Sequence, residues 1–240
     1  MADAPAADVD AIVLAAGQGE RLGLGPKALL ALGGRTLLER AIAVMLAVAR
    51  RVIAGVPESC VAECAARYGA PSGGRVLVVT GGATRMDTTL RLFRETAAPF
   101  VIQHDVVHPF VTEDLARRVL AAARRTGTAL AAERAGAHVY RGGARVAERV
   151  LRGDGLWLAQ KPLAFSREAF ARALAAGHPL PDGAGALGPL LAAGHPVEIV
   201  PGEPWNAKIS TPADWALAQV IDRALASGTL GASATEERAR

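Results

Sequence analysis

The sequence predicts an α/β fold: a mostly parallel sheet with helices on both faces, plus a short β-hairpin arm. Three observations carry that prediction. Short apolar runs alternate along the chain with stretches whose apolar residues recur at helical spacing. Several runs end in small or acidic residues, as at 15–19, 81–82 and 104–105, and in open α/β sheets ligands sit beyond such strand ends. The rhythm breaks once, after Ala132, into a polar stretch with a Gly-Gly turn. With 240 residues, 51% hydrophobic and 21% charged, the chain can bury one large core. The expectation is therefore a Rossmann-like single domain over residues 11–226, with the arm at about 134–155. Flexible tails are expected at 1–10 and 227–240.

Ala11–Leu14 reads as a buried first strand. The acidic, Ala/Pro-rich stretch before it lacks the basic start of a signal peptide. Thr36 to Ala49 places Leu37, Leu38, Ala41, Ile42, Met45 and Leu46 at helical spacing. Arg51–Val56 is a strand, Glu58–Tyr68 a helix, Val76–Val79 a β-branched strand and Thr84–Thr96 a helix. Phe100–Gln103 is a strand. Thr112–Arg125 is a helix opened by a Thr cap and two first-turn acids. His138–Tyr140 and Arg145–Ala147 read as the two sides of the arm, around Gly142-Gly143. The sheet resumes at Leu156–Phe165, followed by helices at Ser166–Ala176 and Ala184–Ala193, a strand at Val197–Val200 and a last helix at Pro212–Ala226.

Composition removes several function classes. The longest apolar run, Ala41–Ala49, is nine residues, well short of the ~18 needed to cross a bilayer. A net charge of +4 and 4% aromatic residues give no stacking platform for nucleic acid. Cys60 and Cys64, four apart, would share one helix face; two thiols alone make neither a zinc site nor a disulfide framework, and they read as buried structural cysteines. A cytoplasmic location is the default. Of 27 basic residues, 24 are arginine and three are lysine: Lys27, Lys161 and Lys208. A compact ammonium beside a phosphate is poorly replaced by an arginine fork, so Lys27 and Lys208 are flagged.

The richest stretch is Val13–Gly34. After its strand come Ala15, Ala16, Gly17 and Gly19, then Arg21 and Pro26-Lys27. Small residues let main-chain amides approach a ligand, and an arginine and a lysine nearby suit a polyphosphate. No Gly-Lys-Ser/Thr ending supports a Walker loop, and the GxGxxxG spacing is one residue longer than the dinucleotide fingerprint. Gly81-Gly82, with Thr88 a turn into the next helix, would let backbone amides and carbonyls read a base edge. His104-Asp105-x-x-His108 has the histidine spacing of a zinc helix, yet it follows a strand, contains two valines and runs into Pro109. In an extended chain the histidines would stand roughly 13 Å apart. Asp105, at a strand end near phosphates, is the candidate to hold Mg²⁺.

The segments AAGQGERLGLGPKALLALGGRTLLE, GGATRMDTTLRL, HDVVHPFVTEDLARRVL, GLWLAQKPLAF and NAKISTPADWALA follow one another between Ala11 and Ile221. In that order and spacing the chain resembles the 2-C-methyl-D-erythritol 4-phosphate cytidylyltransferases of the non-mevalonate isoprenoid pathway and their ribitol-5-phosphate sisters. The resemblance implies a homodimer, joined through the arm, that transfers CMP from CTP and Mg²⁺ to a phosphorylated polyol. It implies that Ala15, Ala16, Gly17, Gly19, Arg21 and Lys27 hold the triphosphate. Gly82, Ala83, Arg85 and Thr88 would hold cytosine and ribose, Asp105 the metal or acceptor, and Lys208 the reacting phosphates.

The departures from that family gather on the acceptor side. His108 stands where the family has arginine, Ala135-Gly136 where it has Asp-Thr, and Lys161-Pro162-Leu163 where it has Thr-Pro-Gln. Pro181-Asp182-Gly183-Ala184 replaces Thr-Asp-Glu/Asp-Ala, and Arg152 only approximates the arm arginine. Methylerythritol phosphate is the favoured acceptor. Another polyol phosphate or phosphonate, or a non-catalytic nucleotide-binding descendant, are the alternatives. If His108 grips the acceptor phosphate, binding should weaken as pH rises through the ordinary histidine pKa near ~6.5.

Overall fold

A computed structural model describes residues 4–143, 147–151, 155–179 and 185–230. The sheet opens with β1 (Ala6–Leu14). A small ribbon, β2 (Ala31–Leu32) and β3 (Arg35–Thr36), leads into α1 (Leu37–Val48). There Thr36 caps the helix by accepting from the Glu39 amide at 3.0 Å. β4 (Ala49–Val56) follows directly. The helix expected at 58–68 is broken into a 3₁₀ turn at Glu58–Cys60, one α turn, α2 (Val61–Cys64), and a wider turn at Ala65–Gly69. No side chain caps any of these pieces, so nothing fixes a single helical start.

Next come β5 (Val76–Thr80), α3 (Arg85–Arg94), β6 (Phe100–Asp105), α4 (Glu113–Thr126) and β7 (Thr128–Arg134). The arm is β8 (Val139–Gly142) and β9 (Ala147–Leu151). The chain ends with β10 (Trp157–Ser166), α5 (Arg167–Ala175), α6 (Leu187–Ala192), β11 (Glu198–Pro201) and α7 (Pro212–Ala226). α3 and α7 both open on a reciprocal capping box, Thr84 with Asp87 and Thr211 with Asp214.

The strands run in the order β11-β7-β10-β6-β1-β4-β5. Only β10 is antiparallel to its neighbours, β6 and β7. Period-two alternation along the central strands feeds two cores. Ala11, Val13, Val52 and Ala54 pack with α1 and α4 on one face. Ile12, Leu14, Ile53 and Phe165 pack with Leu92, Phe93, Phe170 and Leu190 on the other.

Two expectations are corrected. β1 begins at Ala6, so Asp10 belongs to the core rather than to a tail. Its fully buried carboxylate accepts from Arg50 Nε at 2.8 Å, Arg51 Nε at 3.2 Å, and the Ala97 and Ala98 amides at 2.7 and 3.0 Å. The arm's second strand lies further along than 145–147, with Val139 paired to Leu151 and Tyr140 to Val150. Residues 145 and 146 lie outside the described residues.

Candidate active site

A cleft of about 460 Å³ opens beyond the carboxyl ends of β1, β5 and β6. It brings together Ala16, Gly17, Gly19, Arg21, Lys27, Gly82, Ala83, Arg85, Thr88, Asp105 and Lys208, which lie as far apart as 192 positions in the chain (208 − 16 = 192). The opening loop is shaped by backbone bonds. Gly19 O accepts from the amides of Leu22 and Gly23 at 2.8 and 2.9 Å, and Gly17 O from that of Lys27 at 3.2 Å. Gly19 has φ +74°, and a Cβ there would stand 2.1 Å from Gly25 O, so only glycine closes the loop. A Cβ on Gly17 would meet no atom of the chain within 4 Å; the space beside it is open to a ligand. Ala15 is the expected loop residue that does not line the cleft. Its amide goes to Gly55 O at 2.8 Å and the residue is buried in the core, which corrects its assignment as a ligand contact.

The second wall is the turn after β5. A Cβ on Gly81 would lie 2.2 Å from the Ala16 methyl, so this glycine lets the two walls touch. The amides expected to read a base are already donated, Gly81 N to Val56 O at 2.8 Å and Gly82 N to Thr88 Oγ1 at 2.9 Å. The turn thus presents its exposed residue Ala83, while Thr88 supports the turn from behind by also donating to Thr84 O at 3.1 Å.

Three cations converge on the loop. Lys27 is buried and donates from Nζ to Ile209 O at 3.1 Å. Burial first, then the neighbouring Arg21 and Lys208, push its pKa below the usual lysine value, against the pull of Asp214. Arg21 and Lys208 are exposed, and neither has an ion-pair partner among the described residues. The segment carrying Lys208 is pinned along its length. Gln160 and Glu203 exchange two bonds, at 2.9 and 3.1 Å, and Asn206 Nδ2 donates to Lys161 O at 2.6 Å. Ile209 N donates to Val107 O at 2.8 Å, and Ser210 N to Asp214 at 2.8 Å. The backbone around Lys208 is thus fixed while its ammonium stays exposed, without an ion-pair partner among the described residues.

At the far end, Arg85 donates to Asp105 Oδ2 at 2.5 Å, while Oδ1 is buried without a partner. Burial would raise the Asp105 pKa, but Lys161 and then Arg85 outweigh it and hold the carboxyl below its usual value. Lys161 had no role assigned from the sequence. It proves to be buried beside Asp105, its pKa brought down to about 8 by burial, with Arg85 and Lys208 adding and Asp105 opposing. The advance signs of it were its place among three surviving lysines and its position where the resembled family has Thr-Pro-Gln.

His108 departs from expectation. β6 ends at Asp105 and the chain turns, with His108 N donating to Asp105 O at 3.0 Å, so 104–108 is not extended. The imidazole is buried, does not line the cleft, and donates from Nδ1 to Asn206 O at 3.1 Å. Burial lowers its pKa to about 4, so it is neutral across the range in which it was expected to titrate. His104 is fully buried, lowered to about 3 by burial, with neither ring nitrogen bonded. Among the described residues no group of three His, Cys, Asp or Glu could hold a metal by itself. Arg152 and residues 181–184 lie outside the described residues. Cys60 and Cys64 are buried and free, the Cys64 thiol pushed up to about 11 by burial. Among the described residues no helix is long and apolar enough to cross a membrane.

Residues 9–224 match the family model described as 2-C-methyl-D-erythritol 4-phosphate cytidylyltransferase. The chain is 34% identical over 215 residues to the protein of that name from Deinococcus radiodurans, covering 88% of each chain. It is 36% identical over 220 residues to the one from Thermus thermophilus, covering 90% of this chain and 98% of the relative. A crystal structure of the Thermus thermophilus enzyme superposes with a TM-score of 0.73 at 32% identity, over 89% of this chain and 98% of that one.

Proposed function

The chain belongs to the 2-C-methyl-D-erythritol 4-phosphate cytidylyltransferase family, and we propose that its cleft transfers CMP from CTP to 2-C-methyl-D-erythritol 4-phosphate, releasing pyrophosphate. The observation that carries the assignment to this cleft is the convergence of Arg21, Lys27 and Lys208 on the open space beside Gly17. An acceptor phosphate oxygen attacks the α-phosphorus, the bond to the β-phosphate oxygen breaks, and pyrophosphate leaves. The protein forms no covalent bond in this scheme; it positions two anions and stabilises the charge that builds up between them. Lys27 and Lys208 face that charge, Arg21 holds the leaving phosphates, and the Gly82–Ala83 turn receives the cytidine.

Mg²⁺ is the cofactor this reading carries. The fit rests on the unpartnered Asp105 Oδ1, one protein oxygen for an ion that takes its remaining ligands from triphosphate and water. Bound there, the ion would neutralise phosphate charge. A homodimer through the arm is part of the same reading, since Tyr140 and Val150 pair across the hairpin and both are exposed. So is a cytoplasmic location, where Cys60 and Cys64 remain thiols. The deciding experiment is pyrophosphate release with Mg·CTP and a panel of methylerythritol, ribitol and glycerol phosphates. Release with methylerythritol phosphate well above the others is expected. No release with any acceptor, or no CTP binding at millimolar concentration, would sink the assignment.

A further inference from the structure

Asp214 takes one amide more than a helix cap requires. At the start of α3, Asp87 accepts from the amide and the hydroxyl of Thr84, at 3.0 and 2.8 Å. At the start of α7, Asp214 Oδ2 accepts from the Thr211 amide at 2.8 Å, which completes the capping box, and also from the Ser210 amide at 2.8 Å. The carbonyl of that same peptide group, Ile209 O, accepts from Lys27 Nζ at 3.1 Å. In a trans peptide the carbonyl and the N–H point in opposite directions, so one peptide plane stands between the Lys27 ammonium and the Asp214 carboxylate. Its negative end faces the cation and its positive end the anion, and each bond polarises the other. Among the described residues no ion pair joins Lys27 to Asp214 directly, and Asp214 does not line the cleft.

Lys208 depends on the same junction. Ile209 N donates to Val107 O at 2.8 Å, which holds the peptide linking Lys208 to Ile209. The next peptide is held by Lys27 on one side and by Asp214 on the other. The charges answer each other across it. Burial, Arg21 and Lys208 lower the Lys27 pKa, and Asp214 is the group that opposes them. The Thr211 and Ser210 amides lower the Asp214 pKa, with Lys27 adding a smaller share.

We propose that Asp214 is a positioning residue for the reaction, holding the Lys27 ammonium in place through the Ile209–Ser210 peptide and so setting its spacing from Lys208. This rests on the cytidylyltransfer reading and adds to it the group that aligns the two lysines. The alternative is that Asp214 only caps α7. In that case the other half of the cap would matter as much.

The test compares wild type with Asp214→Asn, Asp214→Ser and Asp214→Glu, with Thr211→Ala as the control for the cap. Asn and Ser can still accept from an amide, so these variants delete the charge rather than the helix start. Thr211→Ala removes the 3.2 Å bond from the Asp214 amide to Thr211 Oγ1 and leaves the Ser210 bond in place. Because the chain has only three lysines, carbon-13-labelled lysine gives three side-chain NMR signals, assigned by Lys27→Met, Lys161→Met and Lys208→Met. In both neutral variants the Lys27 signal should titrate at lower pH than in wild type, since the charge opposing burial, Arg21 and Lys208 is gone. Their kcat should fall at least about 10-fold, with the KM for CTP held within about 2-fold, as for a misplaced catalytic group. Asp214→Glu should recover part of the turnover, and Thr211→Ala should lower Tm while leaving the Lys27 titration and kcat unchanged. A Lys27 titration or a kcat unmoved in the neutral variants overturns the proposal, as does an equal fall of kcat in Thr211→Ala. If both neutral variants unfold, the role is structural and the proposal is likewise overturned. Wild type that turns over normally while Asp214 proves silent sinks only this inference; wild type inactive with CTP and every acceptor sinks the reading beneath it.

Discussion

The two lysines proposed to meet the phosphates should fail in different ways when removed. Lys27→Met keeps the length of the side chain but deletes the 3.1 Å bond from Nζ to Ile209 O. That carbonyl is then left buried without a donor, at a cost of about 1–3 kcal/mol. Part is returned, because burial and the like charges of Arg21 and Lys208 already strain the Lys27 ammonium. A net loss of about 1–2 kcal/mol corresponds to a Tm lower by roughly 2–8 °C for a chain of this size. Lys208→Met removes an exposed cation with no bond from its ammonium to the chain, so its Tm should stay within about 1 °C. Both variants should lose at least ~10²-fold in kcat, as for a lost transition-state charge contact. Differential scanning fluorimetry beside a pyrophosphate-release assay reads both axes. An unchanged Tm in Lys27→Met would mean the tie to Ile209 holds nothing. Near-normal turnover in Lys208→Met would return that residue to the solvated surface.

Other outcomes follow from single contacts. Gly17→Ala should leave Tm unchanged yet weaken Mg·CTP binding by calorimetry, because its methyl would enter only ligand space. Gly19→Ala should lower Tm, since the methyl would meet Gly25 O at φ +74°. Asp10→Asn should cost about 3–5 kcal/mol in urea denaturation, as for breaking a buried ion pair. The Asp10 pKa falls from 3.8 to about 2: burial opposes this, but the bonds from Arg50, Ala97, Ala98 and Arg51 prevail. Its stabilisation of about 2 kcal/mol is therefore full above pH ~4 and lost as pH falls through about 2, and the Asn variant should lack that acid limb. His104 and His108, lowered to about 3 and about 4, should show no imidazole titration by NMR between pH 5.5 and 8.5. Both stabilise the neutral-pH fold fully above ~6.5 and progressively less as pH falls toward their folded values. Removing Mg²⁺ with EDTA should abolish pyrophosphate release, and full activity without it would exclude the ion.

The sheet was legible wherever strands were β-branched. β1, β4 and β6 combine β-branched apolar runs with burial on both faces, and the edge strand β5 is itself β-branched, so composition alone marked them. β7 was not recognised as a strand, because TALAAER carries four small or polar residues in its first five and alanine is no strand former. Its place between β10 and β11 supplies the β-structure that its own residues do not request. The strand at β10 was read at Leu156–Phe165, but its antiparallel direction in the main sheet was not, since direction is set by where the arm returns the chain and leaves no trace in hydrophobic pattern.

The wall of the cleft made by the opening loop could be read because its residues are local. Gly17, Gly19, Arg21 and Lys27 lie within eleven residues, and their spacing survives in the sequence as a motif. The region around Asp105, by contrast, is assembled from β6, β10 and the segment after β11, and no short window holds it. That is why His108 was misjudged. Its place where the resembled family has arginine suggested a phosphate grip, whereas in space its Nδ1–H donates to Asn206 O and makes it a brace for the Lys208 segment. The same geometry explains why His108→Arg is not a simple restoration of charge. The new side chain would have to bury a guanidinium where a neutral ring now meets a carbonyl, beside Lys161 and Lys208, which already repel a charge at that point.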